Sequence, residues 1–399
     1  MLVTTPNFHA GIQAGRNSGY LPRRSSAGDN YRHALIAGFT VLCLCSTSFA
    51  DDYEFEAVYT GDVLSNVSGG IASGTRYLDN LDLNIKVDVA EAWGLGSGTL
   101  FIHGLYNNRV TLSDELVGDL QVVSNIDTDE DWRIFELWYE FGGDTWSVRT
   151  GYYDLNSEFD VHDAGSIFLN SSHGIGPEFS QTGESGPSIF PVAAVALRTA
   201  LQFDSFNVRF ALVDAAAGSE MDVNGDDGYL TVAELDVPVA ESARIWAGYW
   251  SYSAEFERPF GTGSISGNAG WYIGGEHTFQ IGSRSAAWFV RYGQADERLN
   301  KLKYYLGLGF VIDRPFAARP ADQFGIAIAS AHAGDPYRNY LEQAGVGAAR
   351  RETAWEMTYR AQINEHLVLQ PDIQYVQNPS VSIALDDALV IGFRFEIAY

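Results

Sequence analysis

The residues of this chain best placed to do chemistry are arginines and carboxylates, and their spacing points to binding rather than bond-breaking. Arg149, Arg198, Arg209, Arg291, Arg360 and Arg394 each fall opposite the apolar stripe of an alternating segment. The connection from Asp154 to Phe190 offers Glu158, Asp160, Asn170, Glu178 and Gln181, with no Lys or Arg between Thr150 and Leu197. Cations from one set of elements facing acids from another would set up a field across a water-filled gap, ordering water and polar solutes. The same groups can hydrogen-bond hydroxyls and release them again. For each Arg the competing role is a salt bridge that only holds shape.

Enzyme-like patterns are weaker. Asp222, Asn224, Asp226 and Glu234 fall in a stretch like a calcium-binding EF-hand loop, but its Gly and its final Glu are each displaced by one position. An acidic turn opening a strand is the preferred reading, and no metal is expected. The histidines His103, His162, His173, His277, His332 and His366 are scattered, without an HExxH pair. No GxSxG is present. Two neighbouring acids mean little in a chain with 51 acidic and 25 basic residues. That balance also excludes nucleic acid as a partner, and no cofactor is implied. The enzyme alternative is a hydrolase on the outer wall of a barrel, with a Ser–His pair built on His277 or His332.

The elements that must position these groups alternate with period two. From Leu81 to Val89 every odd residue is apolar and every even one polar; Thr353 to Ile363 and Leu367 to Tyr375 repeat the pattern. One face of each strand meets something oily and the other something wet. The runs reach about ten residues, which suits a tilted membrane-spanning strand better than a sandwich strand. Leaving an Arg on a lipid face costs ~2–4 kcal/mol at the midplane, so the six arginines are expected to point inward.

About sixteen such cores are found: 53–60, 77–89, 98–106, 132–141, 145–153, 191–203, 207–214, 229–239, 242–253, 269–279, 285–296, 302–312, 322–332, 350–363, 366–377 and 388–399. Connections after odd strands are mostly long (60–76, 107–131, 154–190, 215–228, 254–268, 333–349), and those after even strands mostly short. A sandwich has no reason to sort its loops by parity; a barrel in the outer membrane does. The third long loop carries Phe159, Ile167, Phe168, Leu169, Ile175 and Phe179, which need burial, so it is expected to fold inward and narrow the channel. Trp93, Trp132, Trp146, Trp246, Trp250, Trp271, Trp288 and Trp355 are candidates for the interfacial girdles. Leu389, Ile391, Phe393, Phe395, Ile397 and Tyr399 form a terminal stripe of the kind that outer-membrane assembly machinery recognises.

The first fifty residues read as an export signal. Arg23, Arg24 and Arg32 precede an apolar run from Ala34 to Cys45, and Ser48-Phe49-Ala50 places small residues at the positions a signal peptidase reads. Cleavage is expected after Ala50, leaving 51–399 as the barrel. Both cysteines, Cys43 and Cys45, fall within the signal, so the mature chain has no thiol or disulfide.

Several blocks together resemble the carbohydrate-selective porin family of the OprB type. They are Ser68-Gly69-Gly70 with Tyr77-Leu78-Asp79-Asn80-Leu81-Asp82-Leu83, then Val123-Ser124-Asn125-Ile126 and Glu136-Leu137-Trp138-Tyr139-Glu140. Tyr153-Asp154-Leu155-Asn156-Ser157-Glu158-Phe159-Asp160 leads to Gly174-Ile175-Gly176-Pro177-Glu178-Phe179-Ser180-Gln181, and Gln370-Pro371-Asp372-Ile373-Gln374-Tyr375 follows near the end. The resemblance implies a passive outer-membrane channel that prefers mono- or oligosaccharides, with homotrimers as one expected assembly. Alternation and loop parity imply only a barrel. The acidic lumen leaves a general cation-preferring porin as the alternative.

Overall fold

A computed structural model describes residues 53–94, 96–218 and 228–399. The expected export signal, and Asp222, Asn224 and Asp226, lie outside the described residues. Sixteen strands form one closed antiparallel barrel in which each strand pairs with its sequence neighbours and the last closes on the first, Val58 opposite Ala398. The first eight are β1 (Tyr53–Gly70), β2 (Gly74–Asp88), β3 (Thr99–Asn107), β4 (Arg133–Gly143), β5 (Trp146–Tyr153), β6 (Ala194–Gln202), β7 (Asn207–Asp214) and β8 (Tyr229–Ala240). The rest are β9 (Ala243–Glu257), β10 (Ser264–Ile281), β11 (Arg284–Ala295), β12 (Leu302–Asp313), β13 (Gln323–Ala333), β14 (Arg351–Gln362), β15 (Leu367–Gln377) and β16 (Asp386–Ala398). Among the described residues three short α-helices, α1 (Val89–Trp93), α2 (Pro177–Ser180) and α3 (Asp335–Gln343), sit in connections. Among the described residues no helix is long and apolar enough to cross a membrane.

The outward stripe is the oily one. Leu197, Phe210, Ile245, Ile273, Leu308, Ile326, Met357, Ile373 and Phe393 are exposed along it. Closure removes the free strand edges, so the backbone ladders among the described residues are satisfied within the wall.

Two expected long loops are instead hairpins. The segment 60–76 continues as strand on both sides of a turn at 71–73, with Asp62 opposite Leu78 and Asn66 opposite Gly74. The segment 254–268 narrows to a turn at 258–263 in the same way. Here the strands outrun the lipid. Neither face then has to be oily, so residues such as Asp62, Ser65 and Asn66 carry no alternation although the backbone ladder continues.

Trp246 and Trp250 are corrections to the girdle. Both turn into the barrel at 1% and 0% exposure, and Trp250 stacks on Phe179 at 5.2 Å. Trp93, Trp132, Trp146, Trp271, Trp288 and Trp355 are exposed, as interfacial anchors must be.

The interior is packed. One apolar cluster joins Phe159, Ile175 and Phe179 of the 154–193 connection to wall residues such as Tyr153, Trp246 and Tyr272. A second joins Leu169 to Leu112, Leu116, Val117, Val123 and Ile126 of the 108–132 connection. Two loops, not one, therefore fold into the barrel.

Candidate pore constriction

The inward stripe sets polar groups among apolar ones such as Ala211, Val213 and Trp246, and the two loops divide the polar groups into different environments. A loop inside a barrel must find partners for its backbone donors. Wall carboxylates provide them. Glu356 accepts from the backbone N–H of Leu169 at 2.6 Å and of Asn170 at 3.1 Å. Glu352 accepts from Leu120 at 2.8 Å and Gln121 at 3.0 Å, and Glu234 accepts from Asp160 at 2.7 Å. Each such bond contributes about 0.5–1.5 kcal/mol. The loops also hold one another: Asn125 N–H donates to the Leu169 carbonyl at 2.8 Å, and Ser171 N–H to that of Val122 at 3.0 Å.

The deepest contact centres on Arg291 of β11. Its Nε donates to Asp160 at 2.6 Å, and its Nη2 and Nη1 donate to Glu178 at 2.7 and 3.0 Å. Arg291, Asp160 and Glu178 are all at 1% exposure or less. Glycine makes the space: a Cβ on Gly176 would lie 1.7 Å from Arg291 Nη1, and one on Gly293 1.8 Å from Glu178 Oε1. Beside this group, His162 stacks on Phe289 at 4.2 Å and His173 meets the same ring edge-on at 5.9 Å. Burial lowers both histidines to about 3, with His173, Arg291 and Arg244 adding to the shift at His162. Both are neutral.

A second cluster, on β4 to β6, is wetter. Arg149 donates to Glu140 at 2.9 Å, and Arg198 donates to Glu158 at 2.7 Å and to Ser147 at 2.6 Å. Arg198 also bonds Glu140, and the Tyr153 hydroxyl donates to Glu158. The side chains of Arg149, Glu140 and Glu158 keep 13%, 27% and 21% of their surface. Burial alone would raise Glu158, but Arg149 and Arg198 outweigh it and hold the carboxyl below its usual range. An aromatic surface adjoins: the Arg149 guanidinium sits 3.8 Å over Trp138, which stacks on Phe101 at 4.9 Å. Further along, His103 contacts Asp82 at 2.9 Å and Glu136 at 3.6 Å. Asp154, at the root of the third loop, is raised to about 8 by burial and by Glu136.

The expected site residues thus separate. Glu158, Arg149 and Arg198 come together at the wetter cluster; Asp160, Glu178 and Arg291 form the buried anchor. Arg209 pairs with Glu234 at 2.9 Å, Arg360 with Glu396 at 2.7 Å, and Arg394 with Asp62 at 2.7 Å. Asn170 bonds Gln374 at 3.1 Å, and exposed Gln181 bonds the Leu120 carbonyl, tying loop to loop. Glu234 is occupied by Asp160, Arg209 and Tyr272. No group of three or more His, Cys, Asp or Glu among the described residues could hold a metal. The wall acids Glu136, Glu140, Glu276, Glu352 and Glu356, together with Arg244, were missed. The parity argument used for arginine would have found them.

Comparison with known proteins places this geometry. The family described as "Carbohydrate-selective porin, OprB family" matches residues 72–399. Porin B of Pseudomonas aeruginosa is 24% identical over 407 aligned residues, covering 87% of each chain. The high-pH structure of Pseudomonas putida OprB superposes with a TM-score of 0.78 at 19% identity, over 87% of this chain and 94% of that one. Its low-pH structure gives 0.56 at 17% identity, over 87% and 93%. A mutant porin of Rh. blastica shares the fold at 0.53 and 11% identity, over 86% and 100%. The chain belongs to the OprB family of carbohydrate-selective porins, outer-membrane β-barrels of Gram-negative bacteria that act as channels and not as enzymes.

Proposed function

We propose that sugars cross to the periplasm by passive diffusion, through the part of the lumen bounded by β2 to β6 and the root of the third loop. Arg149, Glu140 and Glu158 would exchange hydrogen bonds with sugar hydroxyls, while the Phe101–Trp138 pair offers a surface to C–H faces. The observation that carries this reading is the partial exposure of these three charged side chains beside stacked rings. Every other loop carboxylate expected at the site is buried. The charges nearly cancel across the cluster, which favours neutral solutes over ions.

Planar-bilayer recording tests the reading. Neutral mono- and disaccharides should block the ionic current, and Phe101→Ala should weaken that block several-fold while the open-channel current is kept. A current indifferent to all neutral sugars, with strong cation selectivity in a salt gradient, would favour the general porin instead. Two further expectations accompany it. The terminal strand ending at Tyr399 serves as the assembly machinery's recognition element, and the barrels associate as homotrimers; native electrophoresis in mild detergent decides the second.

A further inference from the structure

The outer wall carries an arrangement that the channel does not use. Near the extracellular ends of β12, β13 and β14, His332 is the register partner of both Tyr304 and Arg351, so the three side chains leave on one face. The Tyr304 and His332 rings stack at 4.0 Å, and Lys303 Nζ lies 5.9 Å from the Tyr304 ring centroid. The hydroxyl of Ser330 lies 3.3 Å from His332 Nε2 and 3.3 Å from the Thr353 hydroxyl. This is the lipid-facing side: the same stripe continues through Leu306, Leu308, Ile326, Trp355 and Met357, all exposed.

Two features set the patch apart. Acidic residues outnumber basic ones by 51 to 25, and the lumen arginines Arg149, Arg198, Arg209, Arg244, Arg291, Arg360 and Arg394 each hold one or more carboxylates. Lys303 and Arg351 hold none among the described residues. Below them runs an apolar groove of about 540 Å³, lined by Leu308, Ile326, Ile328, Trp355, Met357 and Ile373 among others. Trp355 follows Arg351 by four residues on β14, which is ~13 Å along a strand at ~3.3 Å per residue. Unpaired cations and hydroxyls at headgroup height, over an oily groove at acyl-chain depth, match an amphiphile with an anionic head.

We propose that the outer wall of β11 to β15 binds a phosphorylated glycolipid of the outer leaflet, its phosphate held by Lys303 and Arg351 and an acyl chain lying in the groove. A guanidinium suits phosphate because its fork donates two parallel hydrogen bonds. Aromatic Tyr304 and Trp355 supply the interfacial ledge between head and chain. The inference rests on the barrel's place in the membrane and is independent of which sugar passes.

The test uses full-length protein in mild detergent, titrated with diphosphorylated and with dephosphorylated lipid A and read by native mass spectrometry. The phosphorylated form should bind at least tenfold tighter, and the double variant K303Q/R351Q should erase that preference. Ile326→Trp, which fills the groove, should weaken both forms. Unchanged single-channel conductance in these variants shows that the barrel still folds. Equal binding of the two lipids, or a preference that survives K303Q/R351Q, would overturn the proposal. So would displacement of the lipid by inorganic phosphate at micromolar concentration, which would mark a free-anion site, or an assembly of copies that covers Trp355 before lipid is added.

Discussion

Arg291 and Arg198 are the same residue with the same kind of partners, two carboxylates each, five strands apart around one barrel. Around Arg291 the loop closes completely, and Asp160 and Glu178 retain at most 1% exposure. Around Arg198 the third loop only leans on the wall, and Glu140 and Glu158 keep 27% and 21% of their side-chain surface. Both arginines are at 1% exposure, so the burial of the carboxylates, not residue type, separates an anchor from a surface that solutes can touch. A desolvated charge pair is bound to its partners, because leaving either one alone is expensive. A partly hydrated one can trade a protein hydrogen bond for a sugar hydroxyl.

Breaking the anchor should give the largest effect. Arg291→Met leaves Asp160 and Glu178 buried without a cation, at a cost of ~3–5 kcal/mol. The third loop should then leave its seat, which protease cleavage within 154–193 and a larger, noisier conductance would report. The triple variant R291M/D160N/E178Q should recover much of the stability, since neutral groups tolerate burial better than orphaned charges. If the single and triple variants behave alike, the contact is no anchor.

The two sides should also respond to pH in opposite directions. His162 and His173 are held at about 3 on the anchored side, well below the ordinary 6.5. An unfolded or released loop takes up protons below about 6.5 while the seated loop refuses them until about 3, so seating weakens as pH falls through that window. Asp154, at the open side, is raised from 3.8 to about 8. Its seated, neutral form is favoured at low pH and loses ground as pH rises from about 4 towards 8, above which the loss levels off. Hydrogen exchange at pH 4, 6 and 9 should show the 160–178 segment loosening in acid and the residues around Asp154 loosening in alkali. His162→Phe should abolish part of the first trend, and Asp154→Asn the second. Loosening of both segments at the same extreme would contradict the division.

Gly293→Ala probes the anchor more gently. The new Cβ would fall 1.8 Å from Glu178 Oε1, so Glu178 or the β11 backbone must shift. Overpacking of this kind costs about 1–3 kcal/mol, measurable as a lower temperature in gel heat-modifiability. Gly186→Ala, at a loop position with no side chain within 3.4 Å but φ +85, should act only through backbone strain.

How much of this was legible beforehand follows the same divide. The wall could be read because each strand segment faces lipid on one side wherever it crosses the membrane, and lipid imposes a strict period. Where lipid ends the period ends, which is why Thr60 to Arg76 read as a loop although it is a hairpin. The inward fold of the third loop was announced by Phe159, Phe168 and Phe179, apolar residues with no strand to belong to. Leu112, Leu116, Val117 and Val123 carried the same signal for the second loop and went unread. Which arginine meets which acid was not legible at all. Arg291 and Glu178 are brought together by a chain path that runs through β6 to β10, and only closure of the barrel fixes their separation. Trp246 and Trp250 misled for a related reason: an inward tryptophan needs a loop to cover it, and Phe179 comes from elsewhere in the sequence.

The smallest expected effect on stability is the most informative about transport. Glu140 and Arg149 bond each other at 2.9 Å in the wetter cluster, and replacing both with Gln keeps the net charge. Arg198 retains both of its bonds to Glu158, at 2.7 and 2.9 Å, so no buried cation is orphaned. The loss in stability should stay below about 1 kcal/mol, as for other partly hydrated pairs. Sugar block, by contrast, should change several-fold, because two of the three exposed charged groups beside Phe101 and Trp138 no longer present a strong donor and acceptor. The same double substitution made in the anchor, R291Q with E178Q, should do the reverse: it strands Asp160, destabilises the loop, and alters sugar block only as far as the loop moves. A pair of variants that failed to separate in this way would mean that the partly exposed cluster is scaffold too, and that solutes pass elsewhere in the lumen.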